Sequence, residues 1–446
     1  MILRHFTAIV KFYTLMLRYV LGLKGNKKAY FAGKTLIDRP QGSHRIGQRN
    51  HTDILIIPRY YYRLLVNIFS VTPRQTVPHQ NNGIALYDAA DNVQERLDYI
   101  TAMSGESAGL YIHKLHLMNQ PTSLLIKLVF SVQYFMLTLF VLPFTLSAKR
   151  AMYALMIHEV FEHATLLHIC KQYNIKRLYY ACIFEKDSNA SALLLQKCGI
   201  YVIKNPSEDP LYYHNRVIIA DELGICNDYQ WEEIVHYKDT IFVDKFTQWL
   251  PEQCDKLLFK TPAVKETKKN SIGYYTGASW LNKVLKYNET TNAYDPYQAE
   301  EELEQHLSEY LKARPHLQLK IFLHPLEKNE NYRALSLKHY ASIFENLPYE
   351  YADFSKNTGE LFDECDVAVT IFSGIMTYRF YRGLKGIYYN PYFPDFPIPS
   401  SSLYNVSAKT SNEMFDLLDE CLAISSHAFV ETKLKHQFVP TLAKFQ

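Results

Sequence analysis

The chain has 446 residues, of which 48% are hydrophobic and 21% charged, with a formal net charge of +3. It is too long for one ordinary domain, and its composition is that of a folded protein with a large core, which excludes an intrinsically disordered chain. The nearly balanced charge gives no indication of a nucleic-acid partner. Seven scattered cysteines without a Cys-x-x-Cys pair indicate neither a disulfide framework nor a cysteine zinc site, and they fit a reducing cytosol.

Residues 1–30 are predicted to form an N-terminal basic amphipathic helix. Arg4, Lys11 and Arg18 are spaced one heptad apart among apolar residues, and further lysines follow them. This pattern is typical of a helix that lies in an anionic membrane surface. The alternative is a helix that packs on its own domain.

Residues 128–146 carry no charged side chain and reach the length of a membrane span. Positive residues flank both ends, so charge selects no orientation. A single crossing would place parts of one folded domain on opposite sides of the membrane. We therefore expect a buried or membrane-dipping apolar segment rather than a true span.

Short apolar runs alternate with helical patterns along most of the chain, which indicates βαβ units and parallel sheets. The alternation is clearest over residues 177–203, where a strand, a helix and a strand follow one another. A polar stretch at 262–270 interrupts the pattern and is predicted to be an interdomain linker. The sequence therefore predicts an α/β fold with a first domain over residues 31–261 and a second domain over residues 271–446.

The most informative segment lies in the second domain, at residues 366–390. Val367 to Phe372 is a short apolar run, as expected of a parallel strand that is buried on both faces. Ser373-Gly374 ends this run, and a helical pattern begins there. A hydroxyl–glycine turn that opens a helix at the carboxyl end of a parallel strand offers backbone N–H groups to a phosphate.

Two further polar turns follow strands of the same domain, one after the predicted strand 271–275 and one after the predicted strand 317–323. In an open parallel sheet, ligands bind at the carboxyl ends of the strands, so we expect the three turns to converge on the phosphate of a nucleotide. The predicted donor-binding residues are Thr276, Gly277, Ser279, His324, Pro325, Ser373, Gly374 and Thr377.

The glycine turn, the His-Pro pair and the Ser-Gly turn resemble the nucleotide-binding half of bacterial GT-B-fold glycosyltransferases. The resemblance is to the groups that include capsule sialyltransferases and CDP-glycerol-type transferases, and it covers residues 271–390. It implies a GT-B-like fold of two Rossmann-like domains that face a central cleft. It also implies that His324 contacts the leaving phosphate and that Ser373 and Thr377 bind it. This chain departs from the pattern at Gly374, where a second hydroxyl is expected.

The first domain should then supply the acceptor site and a general base. Glu185 and Asp187 follow the predicted strand 177–184, where a carboxylate can take the proton from an acceptor hydroxyl. The alternative for Asp187 is a helix N-cap. The polar loop 205–216 either lines the acceptor site or is simply solvated. Its candidate acceptor-side residues are Glu208, His214 and Arg216.

No Asp-x-Asp motif occurs in the chain. Metal-dependent GT-A glycosyltransferases normally bind their nucleotide through that motif and a divalent cation, so its absence favours a metal-free site. Amides, a helix dipole and an imidazole would then neutralise the leaving phosphate. We expect no metal and no cofactor, because the nucleotide-sugar is itself a substrate.

Two other motifs suggest different chemistry. Gly105-Glu-Ser107-Ala-Gly109 matches the hydrolase G-x-S-x-G elbow, which needs a strand before it and a helix after it. The order here is inverted, which disfavours a hydrolase. His158 and His163 suggest a zincin motif but are five residues apart, about 140° around a helix, so they cannot share one metal ion. We expect a surface or interface pair instead.

These patterns predict a metal-independent, inverting glycosyltransferase that moves a sugar from a CMP- or other nucleotide-linked donor to a surface polysaccharide or glycolipid. We expect it in the cytoplasm, peripheral on the inner face of the cytoplasmic membrane. One alternative is a CDP-glycerol-type glycerophosphotransferase, which would use the same phosphate turns. The other is a catalytically silent GT-B-like membrane scaffold, which would bind no nucleotide.

Overall fold

The described residues contain two β-sheets, each with six parallel strands. The prediction of an α/β chain with two Rossmann-like domains is therefore confirmed. The computed structural model describes residues 21–37, 82–88, 93–113, 165–180, 188–204, 217–249, 270–284, 296–371, 373–392 and 397–438, with positions 7, 10, 11, 14, 15, 18, 19, 62, 132, 136 and 163.

The first sheet has the strand order β2-β1-β3-β4-β5-β6, and every pairing is parallel. The order reverses between β1 and β3, which makes the carboxyl ends of these two strands the switch point of the sheet. The strands are β1 (Ile84–Asp88), β2 (Leu110–His113), β3 (Arg177–Tyr180), β4 (Tyr201–Lys204), β5 (Ile218–Ile225) and β6 (Ile241–Gln248). The helices of this part are α1 (Lys27–Ile37), α2 (Val93–Ser104), α3 (Ser188–Gln196) and α4 (Asp228–His236).

The N-terminal segment packs on the first sheet through one face. Leu15, Ala29 and Ala32 are buried in the core of this domain. A side chain at Gly33 would overlap the backbone of Leu15, so the glycine lets α1 approach the preceding helical residues closely. The alternative of packing on its own domain therefore holds for this face of the segment.

The second sheet has the strand order β12-β11-β10-β7-β8-β9, again all parallel. Counted from β7, this is the doubly wound 3-2-1-4-5-6 order, whose switch point lies between β7 and β10. The strands are β7 (Ser271–Tyr275), β8 (Gln318–Phe322), β9 (Tyr349–Tyr351), β10 (Val367–Thr370), β11 (Lys385–Tyr389) and β12 (Ser407–Ala408). The helices are α5 (Ser279–Val284), α6 (Pro296–Lys312), α7 (Pro325–Lys328), α8 (Glu330–Ile343), α9 (Gly374–Tyr381), α10 (Ser411–Ala423) and α11 (Ser426–Thr432).

Helix α9 is seated tightly on the second sheet. A Cβ added to Gly386 of β11 would overlap the sulfur of Met376, so the glycine lets the helix approach the strand this closely. Arg379 is completely buried, and its guanidinium donates to the carbonyls of Lys385 (2.7 Å) and Cys365 (2.9 Å). A buried cation with several hydrogen-bond acceptors holds its segment in one position. Helix α9 is therefore held against the amino ends of β10 and β11.

Helix α4 connects the two halves. It follows β5 of the first sheet, yet Tyr229 belongs to the hydrophobic core of the second domain and stacks on Phe438 at 5.5 Å. The side-chain amide of Asn227, the N-cap of α4, donates to the hydroxyl of Tyr381 at 2.5 Å. These contacts tie the carboxyl end of β5 to the end of α9.

The structure also tests the interpretations of the G-x-S-x-G turn and of the histidine pair. Helix α2 precedes the 105–109 turn and β2 follows it, which confirms that a nucleophile elbow is absent there; Glu106 instead pairs with Arg177. His163 is 4% exposed, and its ring bonds to Ser191, so the prediction of a surface or interface position is wrong for this residue. His158 lies outside the described residues.

Two predictions remain open. Within residues 128–146, positions 132 and 136 are described, and both are helical. No described helix is long and apolar enough to cross a membrane. The two sheets fall within the predicted ranges 31–261 and 271–446, but residues 250–269, which hold the boundary, lie outside the described residues.

Candidate functional site

The three predicted polar turns lie side by side at one edge of the second sheet. Strands β10, β7 and β8 are consecutive neighbours, and one turn follows the carboxyl end of each strand. Neighbouring strands are about 4.8 Å apart, so one phosphorylated ligand can reach all three turns. The turns after β7 and β10 also flank the switch point, where open α/β sheets bind their ligands.

The turn after β7 is bonded to the turn after β8. The hydroxyl of Thr276 accepts from the backbone N–H of His324 at 2.8 Å and donates to the carboxyl group of Glu327. Thr276 is 3% exposed. Its side chain therefore connects two turns inside the protein. We assign it a positioning role rather than a direct contact with the nucleotide-sugar.

His324 is the N-cap of the short helix α7 and is exposed to solvent. Its Nδ1 accepts from the backbone N–H of Leu326 at 3.2 Å, so the neutral ring carries its proton on Nε2. Partial desolvation by the surrounding turns lowers the pKa of His324 from its ordinary value. The neutral imidazole can thus donate a hydrogen bond from Nε2 to an anion above the sheet edge.

Glu327 is completely buried beneath His324. Besides the Thr276 hydroxyl, its carboxyl group accepts from the backbone N–H of His324 (3.0 Å), from the indole of Trp280 (2.7 Å) and from the hydroxyl of Tyr340 (2.7 Å). A buried carboxyl group needs such partners to offset its desolvation. These four bonds fix the backbone from which the imidazole projects.

The amides of the turn after β7 are also occupied. The N–H of Gly277 donates to Oε1 of Glu300, and the N–H of Ser279 donates to Oε2 at 2.6 Å. Glu300 is 1% exposed, and burial, with Glu304 and Glu327 nearby, raises its pKa to about 8. The backbone N–H groups of Gly277 and Ser279, two residues predicted to bind the nucleotide-sugar, are therefore bonded within the protein.

The turn after β10 is open. Ser373 is the N-cap of α9, is partly exposed, and makes no side-chain capping bond to the described backbone of that helix. Thr377, one turn further on, is 3% exposed, so Ser373 offers the more accessible hydroxyl. With its side-chain amide in the orientation that its neighbours require, Asn390 donates to the carbonyl of Ile371 and holds the strand end where the turn begins.

The candidate residues of the first domain lie outside the described residues. This applies to Glu185, Asp187, Glu208, His214 and Arg216. Their neighbours in sequence are described: Lys204, at the carboxyl end of β4, is completely buried and donates to the side chain of Asn189 at 2.7 Å. Asn189 in turn bonds to Val217 and Ile219, so the strand ends next to the predicted acceptor loop are held together.

Within the described ranges no group of three or more His, Cys, Asp or Glu side chains could hold a metal ion. Residues 181–187 and 205–216, which carry several of the candidate carboxylates, are outside those ranges. The metal-free site therefore stays a prediction.

Sequence reasoning missed three residues that shape this edge. Glu327 had a detectable signal, because His324-x-x-Glu327 has the spacing of a capping box, and the structure contains that box. Glu300 had none, since it lies in a run of glutamates that reads as an exposed helix face. Asn390 follows an apolar strand, and nothing in the sequence connects it to Ile371.

Comparison with known proteins gives structural matches alone. No protein-family model matches this chain, and no curated protein matches it significantly. Solved structures similar to it include Acinetobacter baumannii MurG (TM-score 0.35, 13% identity, 65% of this chain and 78% of that chain). They also include UDP-GlcNAc 2-epimerase from Neisseria meningitidis bound to UDP-GlcNAc (0.39, 10%, 79% and 99%). A third is the wall teichoic acid polymerase TagF (0.35, 13%, 88% and 92%). All three TM-scores are below 0.5, so the function of this chain is argued from its own residues.

Proposed function

We propose that this protein is a glycosyltransferase that binds a nucleotide-activated sugar at the carboxyl edge of its second sheet. The observation that carries this proposal is an accessible serine at a helix start after β10 and a neutral imidazole after β8, on the two sides of β7 at the carboxyl edge of a doubly wound sheet. Ser373 and His324 are those two groups, and Asn390 and Glu327 hold their backbones. Together they offer hydrogen-bond donors to one phosphate.

The leaving phosphate would be bound in three ways. The first amides of α9, a helix of eight residues, and the positive end of its dipole attract the negative charge of the phosphate. The hydroxyl of Ser373 donates to one phosphate oxygen, and Nε2 of His324 donates to another. Charge develops on this phosphate as the sugar leaves, so donors held in place before the reaction lower the barrier without a metal ion.

The first domain would provide the binding site for the acceptor. In the sequence Glu185 and Asp187 come after β3, whose carboxyl end is at the switch point between β1 and β3, where a doubly wound sheet binds its ligands. One of these carboxylates would take the proton of an acceptor hydroxyl. Glu208, His214 and Arg216 follow β4, the next strand, and would contact the acceptor.

The reaction would be a single displacement. The acceptor oxygen forms a bond to the anomeric carbon as the bond from that carbon to the phosphate oxygen breaks, and the configuration inverts. The carboxylate receives the acceptor proton, and the phosphate keeps the electron pair. The serine, imidazole and helix amides stabilise the added charge.

An anionic membrane would hold the enzyme near a surface-polysaccharide or glycolipid acceptor. Leu21 and Leu23 are 66% and 50% exposed in the turn before α1, and Lys24 and Lys27 are exposed beside them. Apolar side chains flanked by lysines favour binding to an anionic lipid surface.

Nucleotide binding tests the proposal most directly. Calorimetric titration with CMP, CDP, UMP, UDP and GDP should give a defined dissociation constant for at least one of them. Nucleotide release from sugar-nucleotides and from CDP-glycerol, measured with and without acceptor extracts, separates a glycosyltransferase from a glycerophosphotransferase. A chain that binds none of these nucleotides would be a silent scaffold, and the enzyme proposal would fail.

His324 offers a matched control. His324→Gln should weaken nucleotide binding by about tenfold, the size expected for one charge-assisted hydrogen bond. His316 is exposed just before β8, at the opposite edge of the same sheet, so His316→Gln should bind like the wild type. Equal affinities for the two variants would remove His324 from the phosphate site.

A further inference from the structure

The turn after β7 already holds an acidic group in its backbone. Ala278 has a φ of 55°, in the left-handed region, and this bend turns the flanking N–H groups of Gly277 and Ser279 toward one point. A concavity of this kind is a backbone anion site. The carboxyl group of Glu300 occupies it, with one oxygen on each amide.

Glu300 is held there from several sides. Tyr274 lies between two acidic side chains, with its hydroxyl 3.2 Å from Glu300 Oε1 and 3.1 Å from Glu304 Oε1. A protonated Glu300 can donate to that hydroxyl and still accept from both amides, so the amides stay occupied in either protonation state. Displacing this side chain would leave a buried carboxyl group without its partners.

The occupied turn directly borders the open one. A Cβ built on Gly277 would lie 3.2 Å from Glu300 Oε1 and 3.5 Å from the Ile371 side chain at the end of β10. The Ser373 turn begins two residues after Ile371. A second phosphate that extended from Ser373 to the β7 turn would find the amides of Gly277 and Ser279 already occupied by Glu300.

We propose that Glu300, by occupying the amides of the β7 turn, restricts the nucleotide site at this sheet edge to a donor with a single phosphate. This inference rests on the proposed function and names its substrate class: a sugar joined to a nucleoside monophosphate. Donors that carry a diphosphate, CDP-glycerol included, lack the second anion site that they would need here.

Matched pairs of nucleotides test this inference. In titrations without divalent metal, wild-type protein should bind CDP no more tightly than CMP, and UDP no more tightly than UMP. Both amides are released in Glu300→Ala. In this variant the affinity for each diphosphate should rise about tenfold relative to the affinity for its monophosphate, as expected for new charge-assisted hydrogen bonds.

Glu304→Gln is the control variant. Glu304 lies one turn further along α6, shares the Tyr274 hydroxyl, and bonds to His339. The substitution changes the same buried cluster without releasing the amides of Gly277 and Ser279, so the wild-type ratio of diphosphate to monophosphate affinity should persist. Melting curves show whether each variant is folded, and Glu300→Gln, which keeps the side-chain volume, supplies a second test of the ratio.

The outcomes separate the two proposals. Wild-type protein that binds CDP or UDP more than about tenfold tighter than the monophosphate would overturn the role of Glu300 and leave the glycosyltransferase proposal standing. A folded Glu300→Ala variant with an unchanged ratio would do the same. If the variants do not fold, the wild-type comparison alone decides. Absence of binding by all nucleotides overturns both proposals.

Discussion

The hydroxyl of Thr276 accepts a hydrogen bond from the backbone N–H of His324 at 2.8 Å, across two neighbouring strands of the second sheet. The same hydroxyl donates to the buried carboxyl group of Glu327. One small side chain thus links the turn after β7 to the turn that carries the imidazole. The position of His324 depends on this link and on the bond from its N–H to Glu327, because within the described residues its own side chain bonds locally, to Leu326.

Removing this hydroxyl should loosen the His324 turn. Thr276→Val keeps the shape but takes one partner from the Glu327 carboxyl group and one from the His324 N–H. We expect the free energy of unfolding to fall by about 1–3 kcal/mol, the net contribution of the two hydrogen bonds that are lost. Nucleotide affinity should fall as well. Chemical denaturation and calorimetric titration measure the two effects.

Thr432→Val is the control for that variant. Thr432 lies on α11, and its exposed hydroxyl donates to the carbonyl of Ala428 at 2.7 Å. This substitution should change the free energy of unfolding by less than about 0.5 kcal/mol, as is usual for surface positions. Equal stability and equal affinity of the two variants would contradict the linking role of Thr276.

The sequence predicted the strands and turns of the second domain well, because buried parallel strands form continuous apolar runs that polar turns interrupt. β7, β8 and β10 lie within two residues of their predicted ranges. The three turns also meet at one edge, as expected.

The chemistry inside the turns was less predictable. Whether a turn's amides face a ligand or a protein side chain depends on a residue that is distant in sequence, and Glu300 is 23 positions from Gly277. Strand order has the same non-local origin. Only the pairing of β7 with β10 shows that the Ser373 turn and the β7 turn flank one switch point.

The close contact between α9 and β11 predicts a second effect on stability. In Gly386→Ala the new methyl group would overlap the Met376 sulfur and press on Phe380, 3.2 Å away. We expect a loss of about 1–3 kcal/mol in the free energy of unfolding, typical of overpacking, and weaker nucleotide binding because α9 carries the Ser373 turn. Denaturation and titration of the same samples show whether the two losses occur together.

A double variant checks the cause. Met376→Ala opens space beneath α9, so Gly386→Ala combined with Met376→Ala should cost less than the sum of the single substitutions. Gly25→Ala is the control, since no described atom lies within 4 Å of a Cβ at that position. Additive costs in the double variant would mean that the contact between β11 and α9 does not set the position of the helix.

The Glu300 cluster predicts a dependence of stability on pH. Burial raises the pKa of Glu300 from 4.5 to about 8, so between these values the folded protein binds more protons than the unfolded chain. Its contribution is therefore fully present at pH below about 4.5 and is lost as the pH rises through about 8. Glu300→Gln does not titrate, so its free energy of unfolding should fall less than that of the wild type as the pH is raised.

Denaturant titrations on both sides of that range measure this difference. Glu309→Gln, at an exposed position of the same helix, is the matched control and should follow the wild-type curve. Parallel curves for Glu300→Gln and the wild type would contradict a buried, titrating carboxyl group at the Gly277 turn.

The turn between the N-terminal helical residues and α1 predicts contact with an anionic membrane. Leu21 and Leu23 project into solvent beside Lys24, so their insertion buries apolar surface while the lysine stays at the phosphate level. Leu21→Ser, Leu23→Ser and Lys24→Glu together should reduce co-sedimentation with vesicles of phosphatidylglycerol and phosphatidylcholine. The matched control replaces an exposed leucine and lysine of α8, as Leu335→Ser with Lys338→Glu. Binding that is lost equally in both variants, or that is the same on purely zwitterionic vesicles, would contradict a specific membrane contact at this turn.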